Sequence, residues 1–248
     1  MIRHVVVSDL QCPYQDQKAV NAVADFIQDW QPDSVLCVGD EADLPQISRW
    51  TQGTAGEWTK DLDHHRNVTV SVLQQLGVTD LSRSNHGDRL WNSISRRLPG
   101  LIGVPELDYA EFFKHDELGI TFHSKPFEFA PGWVLAHGDE GGVSKNAGTT
   151  AMNLARKFGK STLIGHTHRM GMVSESQMLS GKITNSLTGV ECGHLINTRS
   201  PGMAYTRGSA NWQKGFAVVY VDGNKVTPVL VPVIGNAFTV EGVTYRWT

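Results

Sequence analysis

Cysteine is scarce in this chain of 248 residues. There are three, Cys12, Cys37 and Cys192, an odd number with no C-x-x-C spacing, which argues against a disulfide framework and a cysteine-built zinc knuckle. A surplus of one charge is missing as well. Lys and Arg total 22 against 25 Asp and Glu, a formal net charge of −3. The overall balance therefore gives no reason to expect nucleic acid or an anionic membrane as partner, although a local basic patch is still allowed. No stretch approaches the roughly 18 apolar residues of a membrane span. Met1-Ile2-Arg3-His4 leads straight into a short apolar strand without a signal-peptide core. Unpaired thiols and no leader make a cytoplasmic location the expectation.

What is present is ordinary globular composition, 40% hydrophobic and 19% charged, too apolar for a disordered chain. The length suits one domain over 1–248, large enough to bury a proper core. Val5-Val6-Val7 is a β-branched run ending at Ser8-Asp9. From Ala19 to Trp30, apolar residues recur at helical spacing through Val20, Val23, Ala24 and Ile27. Ser34 to Val38 reads as a second buried strand closed by Gly39-Asp40, so the opening is a βαβ unit. In such a parallel sheet, the loops at the carboxyl ends of the strands gather on one edge, where ligands bind. Both Asp9 and Asp40 fall on that edge.

Further on, helices are expected from about Glu57 to Leu76 and from Arg89 to Leu98, the second stopped by Pro99-Gly100. Leu81 to Asp88 between them reads as a loop. Strands follow at Gly119–His123 and Trp133–Ala136, a helix at Ala151–Phe158, and a strand at Thr162–Ile164. Phe216–Val221 and Val226–Val233 form a hairpin whose turn is assigned to Asp222-Gly223. No pattern places Gln46–Lys60 or Gly171–Thr206.

Five segments share one design, an apolar strand delivering a carboxylate, amide or imidazole into a polar loop. They are Ser8-Asp9-Leu10-Gln11, Gly39-Asp40-Glu41-Ala42-Asp43, Ser84-Asn85-His86-Gly87-Asp88, Ala136-His137-Gly138-Asp139 and Gly165-His166-Thr167-His168. Singly each is weak: Gly-Asp after a strand is usually a turn, and His-x-His is more often packing than ligation. Together and in this order they resemble the calcineurin-like metallophosphoesterase family, whose pattern runs D-x-H, G-D-x-x-D, G-N-H-[DE], a histidine followed by glycine, and G-H-x-H. The likeness spans residues 8 to 168. The S-D-L-Q-x-P-Y opening also resembles small bacteriophage-encoded members.

That resemblance implies an α/β fold, a four-layer αββα sandwich of two mixed β-sheets flanked by helices. It implies two divalent ions bridged by Asp40, with Asp9 and His168 completing one site and Asn85, His137 and His166 the other. Mixed oxygen and imidazole donors suit Mn²⁺ best, with Fe, Zn²⁺ or Ni²⁺ as alternatives. Such a pair, ~4 Å apart, clamps a phosphoryl oxygen and acidifies a bridging water. His86 would protonate the leaving oxygen or stabilise charge on the phosphate. Two departures stand out. Gln11 occupies the position of the D-x-H histidine, where an amide would ligate weakly or orient water, and Cys12 beside it reads as an inert thiol. Ser84 replaces a glycine, and Gly87 is inserted ahead of Asp88.

Asp43 has two readings, a helix N-cap ahead of Leu44-Pro45 or an acceptor orienting a ligand histidine. Arg83, Arg89, Arg96 and Arg97 bracket the Asn-His loop. Most read as a solvated face, with Arg89 the best candidate for phosphate. His64, His65, His115, His123 and His194 match no motif and read as structural. Trp50, Trp58, Tyr205 and Trp212 could stack on a base or simply pack. The expected activity is hydrolysis of a small phosphodiester such as a cyclic nucleotide. Two alternatives remain, a nuclease and a non-catalytic scaffold with a degenerate site. Nucleic acid is the less favoured partner, no membrane is expected, and a homodimer is compatible with the sequence without being specified by it.

Overall fold

Alternation within single strands dictates the layering. In β1 (Ile2–Val7), Val5 and Val7 belong to one buried cluster and Val6 to another, because successive side chains leave opposite faces of a strand. The computed structural model describes residues 1–208 and 210–248. After β1 come α1 (Gln17–Trp30), β2 (Ser34–Cys37), α2 (Leu62–Leu76), β3 (Asp80–Ser82), α3 (Asp88–Arg97), the single turns α4 (Tyr109–Phe112) and α5 (His115–Leu118), and β4 (Thr121–His123). The second half runs β5 (Phe127–Ala130), β6 (Trp133–Ala136), α6 (Thr149–Phe158), β7 (Ser161–Ile164), β8 (Met170–Leu179), β9 (Lys182–Cys192), β10 (Gly215–Asp222), β11 (Lys225–Pro232), β12 (Ala237–Val240) and β13 (Val243–Arg246).

Two mixed sheets result. The first has the order β11-β10-β1-β2-β3-β4, parallel from β1 to β4 with β10 and β11 added antiparallel. The second has the order β5-β6-β7-β9-β8, parallel through β6, β7 and β9 with antiparallel edges. Val6, Leu36, Leu135, Leu163, Val190 and Val219 fill the space between the sheets; each such side chain contributes about 1.5–3 kcal/mol on burial. On the outer face of the first sheet, α1 and α2 bury Val20, Val23, Phe26, Leu73 and Leu76. On the outer face of the second, α6 packs Ala151 and Leu154 on Ala136 and Ile164. The layers are therefore helix, sheet, sheet, helix. Asp16 caps α1 by accepting from the Ala19 amide at 3.3 Å.

The structure corrects several sequence expectations. The helix assigned from Glu57 begins at Leu62; Ala55–Trp58 is a separate 3₁₀ turn, broken from it by extended Thr59. Leu81 and Ser82 belong to β3, and Asp88 already opens α3. The hairpin turn is Gly223-Asn224, since Asp222 pairs with Lys225 inside the ladder. The unassigned region 171–206 contains most of a long ribbon, in which Lys182 to Thr188 of β9 pair with β8 and with no other named strand. All three cysteines are buried and unpaired. Among the described residues, no helix is long and apolar enough to cross a membrane.

Candidate metal centre

The five loops meet because their strands end side by side. Asp9 follows β1, Asp40 follows β2, Asn85 follows β3, His137 follows β6, and His166 and His168 follow β7. Backbone bonds knit the loops together: the Asp9 amide donates to the Gly39 carbonyl (3.1 Å), that of Gln11 to Asp40 (2.8 Å), and that of Gly165 to His137 (3.0 Å). Asp9, Gln11, Asp40, His166 and His168 all adopt left-handed backbone, with φ of 51°, 46°, 51°, 63° and 56°. This conformation is uncommon outside glycine and clusters where function demands it. Gly165 is required by proximity, since a Cβ there would lie 1.8 Å from Ser8 Oγ.

His137 makes the clearest statement about the site's chemistry. Its Nδ1 lies 2.7 Å from the Val38 carbonyl oxygen, so that nitrogen carries a proton and Nε2 is the atom aimed into the site. Nε2 faces Asn85 Oδ1 at 2.9 Å, His166 Nδ1 at 3.2 Å and Asp40 Oδ1 at 3.3 Å. The two oxygens have no proton to offer. Only a proton on Nε2 or a cation among these atoms reconciles them. Burial disfavours the imidazolium, yet Asp40 outweighs burial and holds the His137 pKa up at about 10. Burial likewise pushes Asp40 upward, and His137, His86 and His166 more than reverse it, leaving the carboxylate well below its usual range. His166 is pulled down by burial and by its neighbour His137.

The adjoining half has the same character. Asp9 Oδ2 accepts from the Ser8 hydroxyl at 2.5 Å and from the His166 amide at 2.9 Å, and Oδ1 is buried as well. His168 Nε2 stands 3.0 Å from that oxygen. Burial raises the Asp9 pKa, but His168 brings it to a net lowering. Two sets of side chains able to hold a metal ion thus emerge, Asp40 with His137 and His166, and Asp9 with Asp40 and His168, sharing Asp40. Gln11 Nε2 rests 3.1 Å from His168 Nε2, while its Oε1 is buried without a partner. Cys12 is fully buried, and burial followed by the Glu41 charge raises its pKa far above that of a free thiol.

No protein-family model matches the chain. The Gene 54 protein of Mycobacterium phage D29 is 36% identical over 255 residues, covering 97% of both chains. That of Mycobacterium phage L5 is 36% identical over 250 residues, again with 97% of both covered. The chain belongs to this Gene 54 protein family. Among solved structures, zinc-complexed Vps29 from Entamoeba histolytica aligns over 99% of this chain and 100% of its own, at 13% identity and a TM-score of 0.47.

Around the centre, partners differ from those the sequence suggested. Asp43 makes no side-chain cap; Leu44 precedes the 3₁₀ turn at Pro45–Ile47. Its Oδ1 instead lies 3.2 Å from His86 Nδ1 and 3.2 Å from Arg89 Nη1. Arg89 Nη2 donates to His86 Nε2 at 2.6 Å. Asp88 is held by Arg83, whose Nη1 also reaches both Asp139 oxygens at 2.8 and 2.9 Å, clipping the Asn85 loop to the His137 loop. Arg97 pairs with Glu57 at 2.6 Å.

Sequence reasoning missed Glu191 altogether. Fully buried on β9, it accepts from the Thr167 hydroxyl (2.8 Å) and the Thr150 amide (3.0 Å), fixing the turn between His166 and His168. His194 is buried beside His168, and Trp212 packs edge-on against His168 at 4.2 Å. A lone Glu in an unassigned stretch offers no sequence cue to such long-range contacts.

Proposed function

We propose that this protein is a calcineurin-like, metal-dependent phosphoesterase that hydrolyses phosphodiesters, with Mn²⁺ the favoured ion. The observation that supports it is the His137 constellation, where Asn85 Oδ1, Asp40 Oδ1 and His166 Nδ1 converge on His137 Nε2 and two clusters able to hold a metal ion share Asp40. Asp40 would be shared by two ions, with Asp9 and His168 on one side and Asn85, His137 and His166 on the other; the donor set of oxygens and imidazoles fits such ions. When bound, the ions supply positive charge to the phosphoryl oxygens and acidify the attacking water.

The chain's own groups do the rest. Val38 fixes the His137 tautomer, and Glu191 orients the His166–His168 turn through Thr167. Asp43 Oδ1 sits 3.2 Å from His86 Nδ1 and favours a proton on that nitrogen, while Nε2 faces the site beside Asp40 Oδ2, 3.8 Å away. A phosphoryl oxygen that draws Arg89 onto itself releases the lone pair of His86 Nε2, which then takes up a proton from solvent and passes it to the leaving oxygen.

The test is hydrolysis of bis-p-nitrophenyl phosphate by metal-stripped protein, with Mn²⁺ added back, beside Asp40→Ala and His86→Ala. Activity should require the ion and vanish in Asp40→Ala. His86→Ala should lose about 10²–10⁴-fold on an alkyl diester and less on the aryl one, whose leaving group needs little acid help. Turnover that survives metal removal refutes the proposal.

A further inference from the structure

Two cavities open from the His86–Arg89 corner in opposite characters. One, of about 620 Å³, reaches His86 and Asp43 and is walled by Tyr14, Trp50 and Tyr205. The other, of about 470 Å³, reaches Asn85 and is lined by Arg49, Arg89, Arg96 and Arg97. They adjoin at Ser48, Trp50 and Arg89, which line both, and we treat them as the two arms of one trough beside Asn85 and His86. Each arm has the volume of a small-ligand site.

We infer that this trough takes single-stranded nucleic acid, a phosphodiester whose leaving nucleoside stacks in the aromatic arm while the next phosphate of the retained strand lies in the arginine arm. The inference rests on the phosphodiesterase reading of the same site. Trp50 and Tyr205 are 75% and 67% exposed, large aromatic rings on a wall where an unpaired base can stack, with Arg49 over one face of Trp50 and Trp212 beside Tyr205. Tyr14 on the facing side is held by Gly202, where an added Cβ would meet its ring at 2.4 Å. In the other arm four guanidiniums face one carboxylate, Asp88, which Arg83 already engages. Arg97 is tied to Glu57, and Arg49 lies over the Trp50 ring at 4.6 Å, while Arg96 is exposed and forms no ion pair among the described residues. In a chain whose net charge is −3, this is a local concentration of positive charge beside the reacting centre, as a phosphate-tracking groove requires. A diester with two small substituents leaves the arginine arm unused. Because the aromatic arm adjoins His86 and the arginine arm adjoins Asn85, the leaving side and the retained side are set by which residue each arm reaches.

The test uses thymidine oligonucleotides of about two to six residues, with bis-p-nitrophenyl phosphate in parallel. Wild-type KM should fall about tenfold as residues are added beyond two, and an abasic unit at the leaving position should undo much of that gain. In the Arg49→Ala/Arg96→Ala double variant, the ratio of kcat/KM for the oligonucleotide to that for the aryl diester should drop at least about tenfold. Fluorescence anisotropy of labelled oligothymidine, which needs no turnover, should show weaker binding in that variant and a salt slope shallower by about one. Aryl diester turnover with a KM indifferent to length overturns this inference and leaves the phosphodiesterase reading standing. Oligonucleotide binding without turnover of any diester fails the phosphodiesterase reading and keeps the trough. Equal binding of duplex overturns the trough, because paired bases cannot stack on Trp50 and Tyr205.

Discussion

Replacing His115 with phenylalanine should make the protein markedly less sensitive to acid. His115 opens α5 and is 1% exposed. Its ring lies among Tyr109, Phe113 and Phe122, and among the described residues neither ring nitrogen has a hydrogen-bond partner. Burial pushes its pKa from 6.5 down to about 4, against the upward pull of Asp108 and Asp116. A depressed native pKa means that the unfolded chain binds the proton more readily, so stability is full above about 6.5 and declines as pH falls towards about 4. At about pH 5 the unfolded state gains about 2 kcal/mol from protonating this one side chain, and at about pH 7 almost nothing. His115→Phe removes that term. Urea unfolding at the two pH values should show the wild type losing about 2 kcal/mol more than the variant on acidification, worth about 4–8 °C in Tm. All other titrating groups are common to both proteins and cancel. Identical pH dependence in the pair would refute the reasoning. A pH-independent gain of about 1–3 kcal/mol should accompany it, because two unpaired buried nitrogens disappear.

Gly165→Ala drives a methyl to within 1.8 Å of Ser8 Oγ and 2.6 Å of Asp9 Oδ2; metal content should fall by atomic emission, and stability by on the order of 2 kcal/mol. Asp43→Ala frees His86 and Arg89 together, so phosphodiester turnover should decline by about 10–100-fold while metal content holds. Cys12, Cys37 and Cys192 are fully buried, and burial raises all three pKa values; native protein should show no fast-reacting thiol with a disulfide reagent, and denatured protein three.

Much of the architecture was legible because strands and chemistry coincide. Val5-Val6-Val7, Ser34–Val38 and Thr162–Ile164 are β-branched or apolar runs that end at a glycine or a polar ligand type, and both features survive in one dimension. The ribbon of β8 and β9 was not legible, since from Lys182 to Ser186 on β9 and along most of β8 both faces are wet and period-2 alternation has nothing to record. Of the two readings of Asp43, the cap is absent, and the acceptor beside a histidine is the nearer one, with His86 and Arg89 of α3 as its partners. The Arg83 clip and the Glu191 tether escaped notice because their partners lie far away in the chain.

That ribbon offers a practical handle. Its far turn, at Ser180-Gly181, has positive φ at both residues, and its outer rungs bond to one another rather than to the sheets. A peptide tag or fluorophore inserted there would extend a finger the body does not lean on. Labels at that tip could therefore report tumbling, capture or self-association without disturbing the loops that carry Asp40 and His137.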